Sequence, residues 1–195
     1  MLRKLCCSAC LVLGAQGPAP SRPPVQALPA LPGPAVPKSS TPVKELVRVD
    51  LPAEAVGTPE SLVASLYAFI SGPAEQKREV ERIRSLFHPQ ARLLVAARHP
   101  EKGAFLRPLE LEAFLSFAVP QWEKGFFERG TGDSVQKLEG LAQVWSPYEI
   151  RRSLAGPVEY TGVNAVQCAW DGKRWWITHL AFQSAVVPAR TEPKP

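Results

Sequence analysis

Two runs rich in β-formers flank Asp171-Gly172, and each is apolar on both of its faces. Asp-Gly between such runs predicts a two-residue type I′ hairpin. That turn pairs Trp170 with Lys173 and sets Cys168 opposite Trp175, Val166 opposite Ile177 and Asn164 opposite His179 on one face. The other face then carries Thr161 with Phe182, Val163 with Leu180, Ala165 with Thr178 and Gln167 with Trp176. A sheet that is apolar on both sides has to be covered on both. One cover has to come from helices, and a second copy of the chain is the expected cover for the other.

The helices lie upstream. Thr58-Pro59-Glu60 joins a hydroxyl N-cap, proline at the first helical position and an acid in the first turn. Leu62, Val63, Leu66, Phe69 and Ile70 then form one apolar face, until Ser71-Gly72-Pro73 ends the helix. A second helix is expected over 76–87, burying Val80, Ile83, Leu86 and Phe87, with the charges of Glu75 to Arg84 as its solvated face. Residues 91–97 read as a strand. Arg107-Pro108 reads as the start of a third helix with Leu111, Phe114, Leu115 and Ala118 inside, broken or kinked at Pro120. Strands follow at 126–129 and 135–151, with a turn at Gly132-Asp133 and a bend at Gly140.

The ends of the 195-residue chain have a different composition. Leu2-Arg3-Lys4 and the apolar stretch from Leu5 to Leu13 form a secretory signal peptide pattern over 1–15, too short to span a bilayer. Secretion or export to a periplasm is expected, with a lipid anchor at Cys10 as the lesser alternative. Residues 16–56 carry closely spaced prolines and read as an extended linker. The globular domain is then 57–187, followed by an unstructured tail at 188–195. Without the signal, Cys168 is the one remaining cysteine, so no internal disulfide is expected. The net charge of +5 is interleaved with acids and carries no nucleic-acid motif.

The residues Leu86-Phe87-His88-Pro89-Gln90-Ala91-Arg92-Leu93, Ala142-Gln143-Val144-Trp145-Ser146-Pro147-Tyr148-Glu149, Gly162-Val163-Asn164 and Asp171-Gly172-Lys173-Arg174-Trp175-Trp176-Ile177 resemble the nuclear transport factor 2-like, or SnoaL-like, superfamily, in particular its uncharacterised bacterial members. The resemblance spans roughly residues 56–185. It implies an α+β, cone-shaped, cystatin-like fold with three N-terminal helices packed in a curved antiparallel sheet. It also implies a pocket between the layers. It names no reaction, because one fold hosts many chemistries.

On the derived register, His179 and Asn164 share a face with Trp175 and Ile177, which makes these four and Tyr148 the candidate ligand-binding residues. His179 is the candidate acid/base, its titration movable by burial. The competing reading is a His-Asn cross-strand hydrogen bond that satisfies two buried polar groups. Tyr148 and Glu149 are strand neighbours and point oppositely, so Glu149 is expected to pair with Arg151 on the outer face. His88 reads as a contact at a helix end, and His99 as a loop residue.

The histidines and Cys168 never reach metal-ligand spacing, and no phosphate loop or nucleophile elbow is present, so neither a metal nor a cofactor is expected. No acid is expected in the core strands. The favoured function is therefore binding of a small apolar molecule or a partner. The alternative is a small isomerase, hydrolase or cyclase using His179 with Tyr148 and Asn164.

Overall fold

A computed structural model of the protein describes residues 48–99 and 103–186. The signal-peptide pattern, Cys10, most of the proline-rich segment and the C-terminal tail lie outside these residues. The side chain of His99 is likewise not described. In chain order the elements are α1 (Ala53–Val56), α2 (Pro59–Ile70), β1 (Gly72–Ala74), α3 (Val80–Arg84), β2 (Phe87–His99), β3 (Gly103–Glu110), α4 (Leu111–Trp122), β4 (Lys124–Gly130), β5 (Ser134–Leu138), β6 (Leu141–Arg151), β7 (Tyr160–Trp170) and β8 (Trp175–Val186). The strands form one curved sheet in the order β1-β4-β6-β7-β8-β2-β3, with β5 paired to β6, and the helices cover its concave face. The fold is α+β. The sheet is mixed rather than wholly antiparallel, because β2 runs parallel to β8.

Local chemistry explains the element ends. Thr58 Oγ1 accepts from the Ser61 N–H at 3.0 Å while Ser61 Oγ accepts from the Thr58 N–H at 3.1 Å, a reciprocal cap that starts α2. Its buried face is Leu62, Val63, Leu66, Tyr67 and Ile70. Phe69 lies beside that face with the Arg82 guanidinium 4.3 Å from its ring centre. The folded unit begins before residue 57, since Ala55 and Val56 are buried and the Val49 N–H donates to Ser85 Oγ at 2.8 Å.

Three expected elements differ. The helix expected over 76–87 shrinks to Val80–Arg84, and Phe87 already opens β2. Arg107-Pro108 starts no helix. Pro108 lies in β3, the edge strand, where a missing N–H is tolerated, and α4 begins at Leu111 and runs past Pro120 to Trp122. Residues 135–151 form a hairpin rather than one bent strand. Leu138 pairs with Leu141 around Glu139-Gly140, and Glu139 takes a positive φ of 48°.

The β7–β8 hairpin stands where it is expected, but its register differs. The Asp171 carboxylate accepts from the Lys173 and Arg174 N–H groups at 2.8 and 2.9 Å and from Trp176 Nε1 at 2.7 Å, so the turn spans four residues and Trp170 pairs with Trp175. Cys168 then pairs with Ile177 but Gln167 with His179, which leaves Thr178 as the extra residue of a β-bulge. Its hydroxyl donates to the Gln167 carbonyl at 3.1 Å. One extra residue inverts the facing of everything beyond it. Leu180 pairs with Val166 and Phe182 with Asn164, while His179 pairs with Gln167 instead of Asn164.

Two contacts fix the cone. Arg78, expected on a solvated helix face, is 6% exposed. Its guanidinium donates to Ile70 O at 2.9 Å, Gly72 O at 2.8 Å, Trp122 O at 2.8 Å and Gln76 O at 2.5 Å. Tyr148, Gly162 and Ser184 stand side by side on β6, β7 and β8. The Tyr148 ring crosses the glycine so that its hydroxyl meets Ser184 Oγ at 2.6 Å, and a Cβ at Gly162 would come within 2.5 Å of that ring.

Two stability measurements follow from these contacts. In urea unfolding, Arg78→Ala is expected to cost about 3 kcal/mol or more, because it leaves several buried carbonyls unpaired. Arg78→Lys should recover little of that, because an ammonium lacks the planar fork. Gly162→Ala is expected to cost about 1–3 kcal/mol or more, because the added methyl meets both the Gln183 backbone carbonyl and the Tyr148 ring, and a loss of only a few tenths would show that β7 and β8 can part there without cost.

Candidate functional site

Between the concave face and helices α2 and α4 lies a cavity of about 270 Å³. Its wall is aromatic. Phe114 meets Trp122 and Phe182 edge-on at 5.8 and 5.7 Å, and Trp122 meets Phe126 at 6.0 Å. Phe117, which is 69% exposed, also lines it, together with Gln121 and Arg152. Leu66 and Ile70 of α2 line the side toward that helix.

One acid faces this apolar space. β4 pairs with β6 so that Glu128 stands beside Ile150, on the same inner face as Phe126 and Tyr148. The carboxylate Oε1 accepts from Asn164 Nδ2 at 2.8 Å. Burial away from water raises the Glu128 carboxyl to about 7, the Asn164 hydrogen bond pulling the other way. The group is thus poised to hold or release a proton near neutrality. The same Asn164 amide nitrogen donates to Tyr67 Oη at 3.1 Å, and the Tyr67 and Ser146 hydroxyls lie 2.5 Å apart. Burial pushes the Tyr67 phenol to about 12 and raises that of Tyr148 as well, so both stay protonated across the physiological range.

Of the expected residues, Tyr148 and Asn164 line the cavity. The Tyr148 hydroxyl is engaged by Ser184, itself a lining residue, and by Gln183 O at 3.3 Å. Trp175 and Ile177 are buried core residues and do not line it. His179 is half-buried on the outer face between Gln167 of β7 and Arg92 of β2. The bulge at Thr178 turned it outward, so it is removed as the cavity's acid/base. His88 caps no helix. Its ring meets Trp176 edge-on at 6.0 Å at the start of β2. Glu149 pairs with Arg151 at 3.0 Å and Arg129 at 2.8 Å on the outer face. Cys168 is buried and unpaired, its thiol pushed up to about 12 by burial.

Glu128 and Tyr67 are the functional candidates that sequence reasoning missed. Tyr67 was available from spacing, since Val63, Leu66, Tyr67 and Ile70 follow the i, i+3, i+4, i+7 pattern of a buried helix face. Glu128 alternates with Phe126, but its facing depends on pairing between β4 and β6. Among the described residues no group of three or more histidine, cysteine, aspartate or glutamate side chains could hold a metal ion. No helix among them is long and apolar enough to cross a membrane.

No family model matches the sequence, and no curated protein matches it. Among solved structures, the chain is similar to a protein of unknown function with a cystatin-like fold from Nostoc punctiforme, at 13% identity over 67% of this chain and 89% of that one, TM-score 0.47. It is similar to an NTF2-like protein of unknown function from Shewanella baltica, at 6% identity over 65% and 93%, TM-score 0.42. A third is the hexachlorocyclohexane dehydrochlorinase LinA-type3 from Novosphingobium barchaimii, at 14% identity over 69% and 90%, TM-score 0.46. These likenesses assign no ligand, reaction or partner.

Proposed function

We propose that the cone binds one small, largely apolar molecule, whose polar group meets Glu128 and Asn164. The observation that carries this reading is a carboxyl held at about 7 in an aromatic cavity of about 270 Å³. Small-molecule pockets run from roughly 300 to 1,000 Å³, apolar with a few placed polar groups, so this cavity suits a molecule of one or two rings. Protonated, Glu128 donates to a ligand oxygen; ionised, it accepts. The same titration favours a second reading, in which Glu128 shuttles a proton on a bound carbonyl compound as general acid and base.

Export through the N-terminal signal pattern is part of the proposal, and N-terminal sequencing of the protein purified from its natural host tests it. So is a homodimer through the outer face of the sheet. Supporting it, Trp145 is 52% exposed and stands beside Ala165 and near Val163 and Ala181 on that face. A monomer by sedimentation at high concentration would remove the dimer, and Trp145→Glu is expected to dissociate it.

The probe for binding is 2-naphthol, followed by its fluorescence. Ala118→Phe places a ring in the cavity and is expected to weaken binding at least about tenfold, about 1.4 kcal/mol. Unchanged affinity in a folded variant would overturn the pocket reading. A product formed from a carbonyl substrate by the wild type and not by Glu128→Gln would favour catalysis.

Linkage supplies an independent check on Glu128. A carboxyl raised in the fold binds its proton more tightly there than in the unfolded chain. Its contribution is fully present below the ordinary value of 4.5 and is lost as pH rises through about 7. Glu128→Gln should therefore become more stable relative to wild type over that window, by roughly 3 kcal/mol at its upper end. A pH-independent difference would mean that the cavity does not shield the Glu128 carboxyl from water.

A further inference from the structure

Behind the cavity wall, a chain of hydrogen bonds leads from Asn164 to the surface. Asn164 Nδ2 donates to Tyr67 Oη at 3.1 Å, Tyr67 and Ser146 are 2.5 Å apart, and Ser146 Oγ donates to Asp133 Oδ1 at 2.6 Å. Asn164, Tyr67 and Ser146 are buried, whereas Asp133 is exposed in the turn between β4 and β5. Gly130 makes room for the meeting: a Cβ there would lie 3.2 Å from both Asp133 Oδ1 and the Tyr67 ring, and 3.5 Å from Ser146 Oγ.

The protons in this chain can run only one way. An ionised carboxylate only accepts, so Ser146 spends its single proton on Asp133. Ser146 must then accept from Tyr67, and Tyr67, its own proton used, must accept from Asn164. That obliges Asn164 to turn its NH₂ group toward the chain. The second hydrogen of the same nitrogen is the one that reaches Glu128 Oε1 at 2.8 Å.

We propose that Asp133, outside the cavity, is a positioning residue: it sets the sense of the Ser146-Tyr67 chain and thereby holds an amide N–H, rather than a carbonyl, against Glu128. The inference rests on Glu128 being the group that meets the ligand, and it names what tunes that group. A reversed chain would present Asn164 Oδ1 to Glu128, which favours the protonated carboxyl. The other titratable groups around Glu128 leave this control to Asn164. The phenols of Tyr67 and Tyr148 stay neutral at physiological pH. Arg152, which lines the same cavity, is engaged by Glu159 at 3.0 Å and Gly125 O at 3.3 Å. α4 contributes Gln121, which is uncharged, and β8 contributes Ser184.

The test is the titration of Glu128 itself, read from the side-chain carboxyl carbon shift in protein labelled at glutamate, with no ligand present. Asp133→Asn supplies an amide that can donate, so the chain is no longer held in one sense. The Glu128 midpoint is expected to rise by about half to one pH unit. Asp133→Ala, which removes the acceptor outright, is expected to shift it the same way.

Loss of a nearby negative charge acting through space would lower the midpoint instead, so the sign separates the two causes. In a Ser146→Ala background, where the chain is cut, Asp133→Asn is expected to raise the midpoint no further. An unchanged or lowered midpoint in both Asp133 variants overturns the proposal, and so does an equal rise in the Ser146→Ala background. Because 2-naphthol binding is measured separately, loss of the pocket reading and loss of this one are distinguishable.

Discussion

The guanidinium of Arg78 holds the cone together at the place where it would otherwise come apart. The last residues of α2 and α4, Ile70 and Trp122, each leave a carbonyl without an intrahelical partner, and both residues line the cavity. Arg78 donates to both, and to Gly72 of the edge strand β1. A single cation at two helix C-termini also meets the negative end of both dipoles. The two helices that roof the cavity are thus joined to each other and to the sheet through a planar group that hydrophobic contact alone could not replace. Void volume between two layers works against their packing, and this polar tie holds the rim of the cavity against that cost.

Against that frame, Glu128 is a cost the fold sustains. A half-buried carboxyl set against aromatic side chains, with no ion-pair partner among the described residues, is stabilised mainly by keeping its proton, and the hydrogen bond from Asn164 offsets part of the loss. A leucine there would pack well against Phe126 and Ile150. On the proposed reading the acid serves a ligand rather than the core, in keeping with the way strongly perturbed groups gather in clefts.

Much of the fold was legible, and the site only in part. The start of α2 follows from Thr58-Pro59, the hairpin location from Asp171-Gly172, and the inward row Val144, Tyr148 and Ile150 from alternation. Position along a strand is a local property, whereas register is not. Asp171 drew two backbone N–H groups and the Trp176 indole to its own side chain, which lengthened the turn, and Thr178 then added a bulge that no composition rule marks. The two-residue lengthening kept the faces as expected. The single-residue bulge inverted them, exchanging His179 for Leu180 and Phe182 on the inner side. Arg78 was hidden because it stands among charges that do face water, and Glu128 because a lone acid in a short strand looks like an outer residue until its partner strand is known.

The polar end of the cavity follows from how the inner rows of the sheet change along the strands. Ala142, Cys168 and Ile177 form one row and Val144, Val166 and Leu180 the next, and all six are buried. These rows are apolar. In the following two rows the composition changes to Ser146, Asn164 and Phe182, then Tyr148, Gly162 and Ser184. Ser146 and Asn164 need polar partners that the aliphatic rows do not, and they find them in Tyr67 of α2 and Glu128 of β4, while Ser184 takes the Tyr148 hydroxyl across Gly162. The switch from aliphatic to polar residues along β6 and β7 therefore places the polar end of the pocket, and Phe114, Phe117 and Trp122 of α4 supply its apolar wall.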